Sequence, residues 1–137
     1  MSINTHLPGD PVEWVKDLEK IWQSRDANLA SQGYTEDAVL YWGMNQSQTG
    51  DALRNRPKKW FEFAKDLQIQ KKYIAHSDHC IVTSWDSQYT NPNTNIPVFE
   101  RGIETFYFRD GLIYEQHAWQ HSWQEGDKVE NKDFSTS

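Results

Sequence analysis

The apolar positions of the chain fall into two regimes. Trp14, Val15, Leu18, Ile21 and Trp22 recur every three or four residues, which is the spacing of one helical stripe. Asp10-Pro11 reads as an N-cap and first helical residue, with Glu13 at the capping-box position. Asp26 caps a further turn through Leu29-Ala30, and Gly33 ends it. Ala38-Val-Leu-Tyr-Trp42 predicts a short strand, followed by a polar loop from Gly43 to Thr49. Gly50-Asp51 opens a brief helix that Pro57 interrupts or restarts, with Trp60, Phe61, Phe63, Ala64 and Leu67 as its apolar face. The period then drops to two, predicting strands over 68–76, 79–89, 98–108 and 112–123. Ser77-Asp78 marks a tight turn and 91–97, with two prolines, a longer loop.

Helices followed by a strand meander predict an α+β domain in which helices cover one face of a curved antiparallel sheet. Such a sheet encloses a cone-shaped hollow suited to a small molecule. The expected division is an arm over 1–10, one domain over 11–123 and a polar, frayed tail over 124–137.

The last two strands carry the densest chemistry. Asp110-Gly111 takes the positive φ angles of a two-residue hairpin turn, which pairs Arg109 with Leu112. Strict alternation then sets Phe108 opposite Ile113, Phe106 opposite Glu115, Glu104 opposite His117, Gly102 opposite Trp119 and Glu100 opposite His121. All of them would share one face, giving two carboxylate–imidazole pairs among Phe and Trp. In the stronger catalytic reading Glu100 orients His121, which acts as general base; without a pocket the two form an ordinary surface pair. Glu104 and His117 lie deeper, as a paired acid and base or as a buried polar pair that fixes register. Trp42, Tyr41, Trp22, Trp60, Phe106 and Trp119 are the aromatic residues expected to wall the pocket, and Gly102 leaves room for the Trp119 ring. Asp86 is an outlying candidate for a pocket acid.

Composition narrows the classes. The chain has 137 residues, enough for one domain with a real core, and 14% are aromatic, which argues against disorder. A net charge of −6, with only Lys58-Lys59 and Lys71-Lys72 as basic clusters, does not make a nucleic-acid footprint. Cys80 stands alone, without a disulfide partner or an activating context, and reads as a small hydrophobe. No signal-peptide pattern or membrane-length apolar run is present, so a cytoplasmic protein without membrane partners is expected. His117 and His121 would be about 13 Å apart on a strand at ~3.3 Å per residue and cannot share a metal. His76, His79 and Cys80 flank a turn without further ligands, so no metal is expected.

Trp22-Gln-Ser-Arg-Asp26, Tyr34-Thr-Glu-Asp-Ala-Val39, Thr49-Gly50 and Gly102-Ile-Glu-Thr-Phe-Tyr-Phe-Arg-Asp-Gly-Leu-Ile113 resemble, in order and spacing, the nuclear-transport-factor-2-like superfamily. The SnoaL-like, polyketide-cyclase-like branch is the nearest, over about residues 12–121. The resemblance implies a cone-shaped α+β fold, a homodimer, and a pocket between helices and sheet. By that resemblance, Glu104 matches the protonated acid of steroid isomerases. Trp42 and Leu18 stand where their base and tyrosine would be, so steroid isomerisation is not implied. His121 matches the acid/base of the cyclases, an aspartate in that family, and scytalone dehydratases of this fold do use pocket histidines. The expectation is a pocket protein for a small aromatic or polycyclic, weakly acidic metabolite. Its acid–base chemistry would be cyclisation, isomerisation or dehydration without cofactor or metal. The alternative is a non-catalytic binding, dimerisation or adaptor module.

Overall fold

The computed structural model describes residues 6–43 and 45–127; the outer parts of the expected arm and tail lie outside the described residues. Helix α1 (Pro11–Gln23) starts where the Asp10 side chain accepts the Val12 N–H at 3.0 Å. It stops at Arg25, whose positive φ of 57° redirects the chain. Asp26 then caps α2 (Ala27–Ala30), and Gly33 at φ 89° leads into strand β1 (Tyr34–Trp42). The polar segment expected as a loop includes a short strand, β2 (Gln46–Thr49), paired antiparallel with β1. The backbone groups it turns toward β1 are satisfied by pairing although its side chains show no apolar alternation.

Helix α3 (Gly50–Phe63) runs through Pro57 without the expected break. The proline ring removes one N–H from the helical ladder, but Pro57 is buried and packs on the cavity wall. Strands β3 (Lys65–His76), β4 (Cys80–Thr90), β5 (Pro97–Arg109) and β6 (Leu112–Gln124) complete a six-stranded, curved and unclosed sheet of order β2-β1-β6-β5-β4-β3. Every neighbouring pair is antiparallel except β1–β6. Val15 of α1 packs on Ile81, Phe106, Phe108 and Ile113, whereas Leu53 of α3 packs with Leu40, Ile69, Trp85 and Ala118. The helices therefore cover a single face, and the space between helices and sheet is where a site can form.

The hairpin turn is as expected, with Asp110 at φ 51° and Gly111 at φ 83°, and Phe108 does face Ile113. One residue later the register shifts: Tyr107 faces Glu115, leaving Tyr114 as an extra residue in a β-bulge. Glu104 consequently faces Ala118, not His117, and Glu100 faces Ser122, not His121. The reason lies in the chain's own pattern. Ile113 and Ala118 are both buried although they are an odd number of residues apart, and an unbroken strand cannot turn both inward. The parallel partner β1 breaks register in the same region, between Tyr34 and Val39.

Candidate functional site

Strands β3, β4, β5 and β6 each direct one polar side chain to a common point beneath the helices. Lys71 Nζ lies 3.1 Å from Glu104 Oε2, an ion pair in which the lysine side chain is only 3% exposed. Thr83 Oγ1 donates to the same oxygen at 3.3 Å, and Gln116 Nε2 donates to Glu104 Oε1 at 3.4 Å. The Tyr34 hydroxyl, from β1, donates to Gln116 Oε1 at 2.6 Å. Burial around that hydroxyl, and next the charge of Glu104, lift its pKa above the usual tyrosine range, so it remains a donor. Lys71 is also flanked by the rings of Trp22 and Trp85, at 5.0 and 5.4 Å from their centroids. Desolvating a lysine is offset here by a carboxylate and two ring faces.

Glu100 is the second buried acid, 7% exposed, and its surroundings are different. Trp85 Nε1 donates to its Oε1 at 3.1 Å, while Oε2 accepts no hydrogen bond from the described residues. Burial lifts the Glu100 carboxyl above the ordinary carboxylate range, and Glu104 adds to the rise. The Trp85 hydrogen bond and the charges of Arg56 and Lys71 oppose it. A fixed carboxyl with one uncommitted oxygen and a raised pKa is equipped to exchange a proton.

Two cavities adjoin this network. The first, about 130 Å³, lies between α3 and the sheet, with Trp22, Trp60, Trp85, Arg56, Glu100 and Gln120 among its walls. The second, about 270 Å³, lies under α1 against Trp14, Leu18, Phe106, Phe108 and Ile113. Trp22, Tyr34, Lys71, Glu104 and Gln116 belong to both linings and stand between them. A more open groove of about 650 Å³ runs along β3, β4 and β5 near Phe99 and Trp123.

The expected site residues separate into two groups. Glu100, Glu104, Trp22 and Trp60 line the first cavity, and Phe106 lines the second. Trp42 packs against the core beneath the Arg56 guanidinium, 4.5 Å from its ring centroid. His117, His121 and Trp119 line neither cavity, because the bulge turns this stretch of β6 to the outer face of the sheet, and Tyr41 of β1, paired with His117, lines neither. There His117 stacks between Tyr41 and Trp119, with centroids at 4.9 and 5.7 Å, and meets Glu115 at 2.9 Å. His121 is exposed and stacks on Trp123 at 5.7 Å. The expected Glu104–His117 and Glu100–His121 pairs do not form. It is the Trp85 ring, not that of Trp119, which covers Gly102. Asp86 bonds Arg101 at 2.7 Å on the exposed side, and burial pushes the Cys80 thiol up, away from thiolate chemistry.

Lys71, Arg56, Tyr34 and Gln116 lie outside the expected site and Trp85 reads first as a core aromatic, although the signals of all five are present in the sequence. Leu67, Ile69, Lys71 and Tyr73 alternate along β3, so Lys71 occupies an apolar-face position. Trp85 holds the same position in the series Ile81, Thr83, Trp85 of β4. Arg56 lies on the helical stripe Leu53, Arg56, Pro57, Trp60, and Gln116 shares its inward phase with Ala118. Among the described residues no cluster of three potential metal ligands forms, and no helix is long and apolar enough to cross a membrane.

The arrangement is an α+β fold with helices on one face of a curved, unclosed sheet, and solved structures share that fold. The epoxide hydrolase/cyclase-like enzyme SalBIII, described in pyran ring formation in polyether salinomycin, superposes with TM-score 0.68 at 16% identity, covering 81% of this chain and 90% of its own. PrhC from Penicillium brasilianum gives 0.66 at 10% identity over 83% of this chain and 82% of its own. A ketosteroid isomerase-like protein from Erwinia carotovora atroseptica gives 0.58 at 18% identity, with 80% and 92% covered. At such identities the likeness concerns the fold. The chain belongs to the SnoaL-like domain family, which matches residues 15–116. No curated protein sequence matches it.

Proposed function

We propose that this protein binds a small aromatic or polycyclic, weakly acidic metabolite in the cavity between α3 and the sheet. There it catalyses proton transfer of the kind used in cyclisation, isomerisation or dehydration. Glu100 exchanges the proton through Oε2, its carboxyl held in place by Trp85 at the other oxygen. The observation that carries this reading is the Glu100 carboxyl: buried in a Trp-walled cavity, fixed by Trp85 at one oxygen and uncommitted at the other. Cyclase- and isomerase-like neighbours of the same fold support it. The reaction takes place in the cytoplasm and requires no added cofactor.

The test uses 2-tetralone, a bicyclic ketone with a weakly acidic C–H, in deuterated buffer with NMR detection of exchange. The wild type should accelerate exchange, and Glu100→Gln should lose about 10²–10⁴-fold. Equal rates in both would refute the catalytic assignment, and binding without exchange would mark a non-catalytic pocket. The exposed outer face favours a second role. Tyr41, Ile103 and Trp119 are 40%, 48% and 51% exposed there, and a second copy of this chain is the partner we assign to that surface.

A further inference from the structure

The charges around the first cavity are unequally matched. Lys71 is committed to Glu104 and sealed from solvent, so it has little freedom to take a ligand's anionic group. Arg56 is different. It stands on the cavity-facing stripe of α3 with Leu53, Pro57 and Trp60, half-buried, and among the described residues it makes no ion pair. Among the described residues its one hydrogen bond is from Nη1 to Gln48 Oε1, at a long 3.4 Å. One face of the guanidinium is covered by the Trp42 ring, which leaves the in-plane N–H edge to donate. Glu100 and Glu104 influence this group through space, but neither reaches it as a salt-bridge partner. A guanidinium carries five donors in a planar fork, and leaving it half-buried without a counter-anion is costly.

We propose that Arg56 is an anion anchor and that the cavity's ligand is a carboxylic acid, its carboxylate forked onto Arg56 and its ring body among Trp22, Trp60 and Trp85. The inference rests on the reading of this cavity as a ligand site and adds the ligand's chemical class. A carboxylate matches the guanidinium edge with two parallel N–H···O bonds, a geometry that an amide or alcohol cannot reproduce. Stacking on Trp42 holds the fork in one orientation, so binding orders little that is not already ordered.

The test is an NMR titration of the full chain with benzoate and its neutral isostere benzamide, ring-sized probes suited to a cavity of this order. Indole N–H shifts of Trp22, Trp60 and Trp85 report occupancy. The wild type should bind benzoate at least about 10-fold more tightly than benzamide. Arg56→Gln should bring that ratio close to one by weakening benzoate binding, and Arg56→Lys should keep part of the preference. A ratio near one in the wild type, or a preference that survives in Arg56→Gln, overturns the anchor and leaves the Glu100 reading standing. Failure of both probes to shift any cavity indole overturns the anchor and the pocket together.

Discussion

Replacing Gly102 by alanine tests the packing on which the candidate site depends. The Cβ would fall within 3.0 Å of Trp85 Cη2 and Cζ2, and 2.5 Å from the Trp119 carbonyl oxygen, all closer than real Cβ contacts allow. The backbone of β6 cannot retreat without breaking its ladder with β5, so the indole must move. Trp85 is 6% exposed and has Lys71 5.4 Å from its ring centroid, so the ring can yield only by shifting into the cavity it walls. Overpacking of this kind costs about 1–3 kcal/mol. Displacing the ring also draws Nε1 away from Glu100 Oε1, now 3.1 Å distant, which adds about 1–2 kcal/mol. The expected destabilisation is therefore about 3 kcal/mol, or a fall in Tm of roughly 10 °C for a chain of this size. Urea unfolding followed by near-ultraviolet circular dichroism measures it. Gly9→Ala is the control, because nothing lies within 4 Å of a Cβ at that position. A Gly102→Ala protein within about 0.5 kcal/mol of wild type would refute the seating of Trp85 over Gly102, and with it the fixing of Glu100.

Other consequences are as direct. Lys71→Met strands the buried Glu104 carboxylate and should cost about 3–5 kcal/mol in urea unfolding, most of it recovered by adding Glu104→Gln. Because the Glu100 pKa is raised on folding, its contribution to stability is full below the unfolded carboxylate pKa and is lost as pH rises through the folded value. Glu100→Gln should therefore raise Tm relative to wild type at pH 7.5 but not at pH 4 (~3 units of pH suffice to span a carboxylate titration), and a pH-independent difference would contradict the buried placement. Trp119→Asp should convert a particle of twice the 16.1 kDa chain mass to one chain in sedimentation equilibrium, whereas a wild type already monomeric would exclude self-association through the outer face.

Much of the fold could be read from the chain because its signals are local. Asp10 and Asp26 cap helices within three residues of themselves, and the turn at Asp110-Gly111 needs only its own φ angles. The candidate site was less legible because it depends on phase carried along a strand. A single extra residue at Tyr114 reverses every later inward assignment on β6, exchanging His117, Trp119 and His121 for Gln116, Ala118 and Gln120. Glu100 and Glu104 kept their place because β5 precedes the irregularity. Lys71-Lys72 reads as a sparse basic cluster, although the spacing of Lys71 from Leu67 and Ile69 assigns it to the buried face.

If the cavity beside α3 takes a ligand as proposed, the hydrogen-bonded row of Tyr34, Gln116, Glu104 and Lys71 would act as a length gauge. It stands between cavities of about 130 and 270 Å³, and one member is the amide side chain of Gln116, held by a hydroxyl on one side and a carboxylate on the other. While that amide is in place, a molecule that enters beside α3 is limited to about the dimensions of one chamber. A smaller residue at position 116 would open a passage beneath α1, with the backbone unchanged. On the proposed reading, chains with the same strands and helices would select short or long guests through one side chain that is separate from the proposed proton donor, Glu100.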